Sequence, residues 1–396
     1  MGSILNLVYD NNSTISFYQD LMDFYKVDNY HLCALSVIKN INDKYYYIYR
    51  TDRYLEPLFN EYGGFPFSEE LKSALASHKN LSIIFLNEHE SDNENCLSIL
   101  KEEILKNNLS EKQFYFISNN NKLDDLKIKE NTEINVYRIN RAPLASIREM
   151  SNYPHPFVVD RDYLFMTHNR AIKSHRVALL CMLNNMKLLD ETDWSLIRGF
   201  EFNQRYFDEN GINKWFLKEI FDENDYTKFK NDLEYLKTFD IKKSKFETAE
   251  EFDFPPHLLE RSVSFKMNCY AHSYINITTE THYESPYLIQ ISEKTFLPFH
   301  FFQIPIFVAT VGHVKKVKEV YGYDLFEDII DHSYDNEQDN KKRMLMIITE
   351  IKRLNENKSL IVNFFKKNEY RFIKNREMVL QQLSDKSDYN YFKNLI

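Results

Sequence analysis

SYINITTETHYESPYLIQISEKTFLPFHFFQIPIFVAT, residues 273–310, reads as a buried strand, a polar loop, a helix and a second buried strand. SYINITTE and PIFVAT are short and β-branched, and SEKTFLPFHFF between them has helical spacing. A strand–helix–strand unit of this length implies two parallel strands joined by a crossover. The polar stretch gathers Glu280, Glu284, Glu293 and Lys294 at the mouth of that pair. Ser292 is a natural N-cap, and Glu293 suits the first helical turn. Lys294 does not, because a cation there opposes the helix macrodipole. Two readings stand on spacing alone: a surface ion pair with Glu280 or Glu284, or a phosphate ligand.

The same alternation extends outward. Downstream, GHVKKVKEVYG is helical, and from Asp339 the chain reads as long helices. Upstream, YLFMTHN is a strand, SHRVALLCMLNNMKLL a helix and DWSLIRG a strand, while residues 201–265 read as helical with loops. SNYPHPFVVDRD breaks the pattern with two prolines. The first 150 residues alternate again, with LNLVYD, LSIIFLNEHES, QFYFISNNN and TEINVYRINRA as strands. YHLCALSVIKN and KYYYIYRT read as strands paired around the turn INDK. STISFYQDLMDFYKV, SEELKSALASHKN and NENCLSILKEEILKNNLS read as helices. The fold class is therefore α/β with mostly parallel sheets. The expected domains are residues 1–155, 156–360 and a helical 361–396.

Composition narrows the function classes. The 396 residues include 31 Phe and 27 Tyr, too many for a disordered chain. A net charge of −9 gives no general grip on a polyanion. Four scattered cysteines without a CxxC suit a reducing cytoplasm, and no disulfide framework or zinc site is expected. No apolar run reaches the length of a membrane span, and the N-terminus lacks the pattern of a secretion signal. With seven glycines and neither GxGxxG nor GxxxxGK, ordinary dinucleotide and P-loop sites are poorly supported.

MTHNRAIKSHRVALL, residues 166–180, ends a strand at Asn169 and brings Arg170, Lys173 and Arg176 to the start of a helix. Cations there are poor structural choices, and either a solvated turn or a bound anion accounts for them. Asp160-Arg161-Asp162 forms a DxD, but the intervening cation and its place at a junction make it a loop. In the first half, LSIIFLNEHES ends a strand in Glu88, His89 and Glu90, groups suited to taking a proton near neutral pH. YGGFPF, residues 62–67, reads either as a lining for a second ligand or as a turn.

The stretch from Ile277 to His313, with Ser292-Glu293-Lys294 at its centre, resembles the C-terminal signature of the α1,3-fucosyltransferase family and its phage and bacterial relatives. MTHNRAIKSHRVALLCMLNN is similar to an earlier element of that family, and the likeness covers about residues 160–350. It implies a GT-B architecture of two facing Rossmann-like domains. It also implies an inverting, metal-independent glycosyltransferase that takes a nucleoside-diphosphate sugar, GDP-fucose in the family, and needs no cofactor or metal. On that likeness Arg176 and Lys294 hold the pyrophosphate and Glu293 the ribose or sugar hydroxyls. Glu280 is the acidic strand-end residue, and Asn169, Arg170, Thr281 and Ser292 stand beside these ligands. The acceptor would be a glycan or another hydroxyl, with Glu90, Glu88 or His89 as the base. Thr281 stands where the family usually has Asn, which leaves nucleotide and sugar open. Two rivals remain. A phage-type DNA-base glycosyltransferase would need a basic cleft, and Lys and Arg are dispersed apart from Lys315, Lys316 and Lys318. A non-catalytic binding protein of the same fold would have less use for Arg176 and Lys294 together.

Overall fold

The computed structural model describes residues 5–10, 18–19, 22, 30–38, 43–50, 59–61, 63–87, 94–139, 156–169, 173–196 and 270–384. They fall into two compact units. One holds the described residues up to 139 together with Tyr287–Gln290, and the other those of 156–286 and 291–383.

The first unit is built on a six-stranded sheet of β1 (Leu5–Tyr9), β2 (Tyr30–Ala34), β3 (Tyr45–Arg50), β4 (Leu81–Asn87), β5 (Phe114–Ser118) and β6 (Asn135–Arg138). The order is β2-β1-β3-β4-β5-β6, and every pair is parallel. α1 (Glu69–Ser77), α2 (Cys96–Lys106) and α3 (Leu123–Glu130) connect β3 through to β6. Successive strand residues enter opposite cores, as a two-residue side-chain period requires. Ile83, Phe85, Phe114 and Phe116 pack with Leu71, Leu97, Leu100 and Leu126 of the three helices. Ile84, Leu86 and Ile117 pack with Leu5, Leu7, Tyr18 and Met22 on the other face. Burial on both faces explains why LSIIFL is a continuous apolar run.

Two expectations are corrected here. β2 and β3 do not pair, because β1 lies between them. β3 is buried over its first four residues and β2 is half-exposed, so β2 is the edge, and parallel strands need a crossover rather than a tight hairpin. Phe65 and Phe67 of YGGFPF are not lining residues: they are buried, stacked 4.8 Å apart, and belong to the core with Phe85. Its glycines make the turn. Gly64 sits at φ +141°, where a Cβ would come within 2.5 Å of the Glu103 carboxylate.

The second unit carries β7 (Tyr163–Asn169), β8 (Thr192–Leu196), β9 (Ser273–Thr279) and β10 (Ile304–Val308), parallel throughout in the order β10-β9-β7-β8. α4 (Ser174–Asn185) joins β7 to β8, and α5 (Glu293–His300) joins β9 to β10. α6 (His313–Tyr321), α7 (Asn340–Glu356), α8 (Lys358–Lys367) and α9 (Glu369–Ser384) follow. Asp339 caps α7 by accepting from the Lys342 N–H at 2.8 Å. The strand–helix–strand reading of residues 273–310 holds, and the helices expected after Asp339 are present through Ser384. Residues 201–265 lie outside the described residues, as do Glu88, His89, Glu90 and Arg170. Among the described residues no helix is long and apolar enough to cross a membrane.

Both sheets share one topological feature. The strand order reverses between β1 and β3 in the first and between β7 and β9 in the second. Such a reversal opens a crevice beyond the C-terminal ends of the two strands, because the connections leave in opposite directions.

Candidate functional site

At the reversal of the second sheet, the last residues of β7 and β9 are locked together. Buried Asn169 accepts a hydrogen bond from the Thr279 hydroxyl and donates to Thr167 Oγ1 at 3.3 Å. β9 then runs into Glu280 and Thr281, with the Glu280 N–H donating to Val308 O at 3.0 Å.

Three cations converge on this strand end from two helix starts. Lys173, the N-cap residue of α4, donates from Nζ to Thr281 O at 2.9 Å. Lys294, in the first turn of α5, donates from Nζ to Thr281 Oγ1 at 3.3 Å. Arg176 Nη2 donates to the carbonyls of Glu280 at 3.2 Å and Thr279 at 3.4 Å. Both lysines are half-buried, whereas Arg176 is only 2% exposed. Each of these cations opposes a helix dipole. Arg176 stands apart from the lysines, because its guanidinium satisfies the end of β9 from below. Its burial and these two bonds give Arg176 a structural part at the end of β9. Arg176→Ala should lower unfolding stability by about 1–3 kcal/mol, because buried carbonyls lose their donor; denaturant unfolding of the variant measures this.

The Glu280 carboxylate is held by two hydroxyls of α5 and its cap. It is 1% exposed and accepts from Ser292 Oγ at 2.6 Å and Thr295 Oγ1 at 2.5 Å. Ser292 also caps α5 by accepting the Lys294 N–H at 3.3 Å, so Glu280 supplies the anion at the start of that helix. Its contacts fix the start of α5. Behind Thr295 stands His313, whose Nε2 lies 3.1 Å from the Thr295 hydroxyl. Burial holds His313 near pH 4, despite the opposing pull of Asp335. Because the Thr295 proton goes to Glu280, His313 donates through a protonated Nε2. Glu293 is half-buried in the first turn of α5.

The loop carrying Thr281 is clamped from a third side. His175 Nε2 lies 2.9 Å from Glu280 O, and since a carbonyl only accepts, that nitrogen carries the proton. Burial, reinforced by Arg176, holds this imidazole well below its ordinary range, so it is neutral. Its ring stacks 5.5 Å from Tyr283, whose ring also carries the Arg343 guanidinium 4.4 Å from its centre. Arg343 Nη2 donates to Tyr283 O at 2.6 Å, and the Tyr283 hydroxyl donates to Asn340 O at 3.0 Å. His175, Tyr283 and Arg343 carry no sequence signal as site residues. Lys173 was legible from its place in the cation run, but the Tyr283 stack joins residues too distant in sequence to be paired.

Asp160-Arg161-Asp162 is structural in its contacts. Arg161 donates to the carbonyls of Val158, Tyr270 and Ser273, Asp160 pairs with Lys366 at 3.0 Å, and Asp162 pairs with His272 at 2.9 Å. Among the described residues no group of three or more His, Cys, Asp or Glu is placed to hold a metal ion. Comparisons with protein-family models, curated proteins and solved structures find no match for this chain.

Proposed function

We propose that the chain is a glycosyltransferase of GT-B type. It would move a sugar, with inversion, from a nucleoside-diphosphate donor such as GDP-fucose to an acceptor hydroxyl, a glycan first among the candidates. The observation that carries this reading is the convergence of Lys173, Lys294 and Arg176 on the end of β9 at a sheet reversal. The likeness of residues 273–310 to the fucosyltransferase signature adds to it. In the reaction, the acceptor oxygen attacks the anomeric carbon, the bond from that carbon to the phosphate oxygen breaks, and its electron pair leaves with the diphosphate. Lys173 and Lys294 would meet the charge growing on that leaving group, with Arg176 adding potential from beneath. Fixed cations act without reorganising, and the half-buried setting strengthens them. The acceptor's proton would pass to a base in Glu88–Glu90, which follows β4 directly in sequence.

Thermal-shift titration with GDP, UDP, CDP and their sugars tests the binding half, and mass spectrometry of donor hydrolysis tests the chemistry. At least one nucleotide should raise the melting temperature; a flat response to all of them counts against the reading. Transfer should also continue in excess EDTA, because lysine and arginine supply the charge here. Loss of activity that manganese restores would point instead to carboxylates acting through a divalent ion.

A further inference from the structure

We infer that Arg343 is a positioning residue of the proposed diphosphate site, fixing through Tyr283 the loop on which Lys173 and Lys294 are moored. The role rests on the transferase reading, because that site is where it would be felt. Both ammonium groups end on one residue, Lys173 on Thr281 O and Lys294 on Thr281 Oγ1. Thr281 belongs to no helix or strand, so its place depends on what holds its neighbours. Ahead of it, Arg176 and His175 of α4 satisfy the carbonyls of Thr279 and Glu280. Beyond it the hold comes from α7, sixty residues further along the chain, where Arg343 reaches Tyr283 O and the Tyr283 ring.

Arg343 stands out by what surrounds its charge. It is 2% exposed, and among the described residues no carboxylate pairs with it. Its guanidinium donates to Glu337 O at 2.8 Å, Tyr283 O at 2.6 Å and Asn340 Oδ1 at 2.5 Å, all uncharged acceptors, and its Nε has no hydrogen-bond partner. Asp335 feels its charge, but both oxygens of that acid accept the N–H groups of Val314 and Lys315. A buried guanidinium without an acid is costly, and the face of the Tyr283 ring offsets part of that cost. The charge is thus committed to one loop, and it has the sign a diphosphate needs there. A loop left unpinned would be competent for only part of the time, and the apparent dissociation constant rises by the inverse of that fraction. Saturating donor selects the competent form, so the loss falls on KM. Loss of Lys294 differs, because its charge meets the leaving group itself.

The test is steady-state kinetics on the full chain, with the GDP, UDP or CDP sugar that wild type accepts, for Arg343→Met, Arg343→Lys and the control Phe372→Leu. Arg343→Met should raise KM about tenfold and leave kcat within about twofold. Amide hydrogen exchange over residues 281–285 should quicken in the same variant. Arg343→Lys returns the charge and a donor without the planar fork, and should recover part of the KM. Phe372→Leu thins the core that Phe372 shares with Phe326 and Phe365, and should lower the melting temperature with KM unchanged. Circular dichroism checks that each variant is folded. If Arg343→Met does not fold, Tyr283→Leu keeps the carbonyl and removes the ring beneath the guanidinium, and should raise KM in the same way. An unchanged KM, a loss confined to kcat, or an equal rise in KM for Phe372→Leu overturns the positioning role and leaves the diphosphate site standing. If wild type itself neither binds nor turns over any of these nucleotides, the diphosphate site falls and the role falls with it.

Discussion

Replacing Lys294 with alanine should cut sugar transfer by about a hundredfold or more, the usual consequence of losing one fixed donor aimed at developing charge. The fold should survive the change. Lys294 contributes to the cap of α5 through its backbone N–H, which the substitution leaves in place, while its side chain donates to the Thr281 hydroxyl. The α5 start is fixed independently by Ser292 and Thr295 on Glu280. Lys173 still reaches Thr281 O, so nucleotide binding should weaken without vanishing. Lys294→Arg should recover part of the rate, because the charge returns with a different reach. Steady-state kinetics with any accepted donor decides the matter, and a near-normal rate in Lys294→Ala would remove the lysine from the chemistry.

The second large effect is on stability in acid. His313 is buried and holds its proton only near pH 4, whereas an unfolded histidine does so near 6.5. Between those values the unfolded chain binds a proton that the folded chain refuses, so stability falls as pH is lowered through this window and levels off below it. The gap of about 2.5 units corresponds to about 3 kcal/mol. His175 is shifted in the same direction by burial and by Arg176, and adds to the loss. His313→Gln keeps an N–H for Thr295 and removes the titration. Its unfolding free energy should therefore drop less than that of wild type between pH 7 and 4.5. Equal slopes for the two proteins in urea unfolding at those pH values would show that His313 does not drive the effect.

Sequence patterns carried far where the physics was local. YLFMTHN matches the bounds of β7, and Ser292 was readable as a cap because an N-cap needs only its own turn. The strand order was not readable in the same way. KYYYIYRT is a strand, but which strand lies beside it depends on contacts with β1, remote in sequence. NKLDDLKIKEN escaped notice as a helix because only Leu123 and Leu126 of α3 are buried, too few to mark a period. At the site, the charge pattern marked Arg176 and Lys294 each as a cation at a helix start, and the family likeness alone put them in one cluster. It could not tell which would turn inward, since a long cationic side chain can satisfy buried carbonyls as readily as a ligand. Glu280 shows the same limit: its place at a strand end was legible, while the direction of its carboxylate was decided by Ser292 and Thr295 twelve and fifteen residues later.

The contact of Arg343 with Tyr283 has a genetic corollary. The three cations described at the end of β9 are encoded before residue 295, yet the loop they converge on is held by Arg343 and by the Asn340 carbonyl at the start of α7. A nonsense mutation just ahead of codon 340 would keep all of those cations and still leave their loop unmoored. Truncation at that codon should therefore loosen the loop after β9, although the helices removed contribute none of the three converging cations.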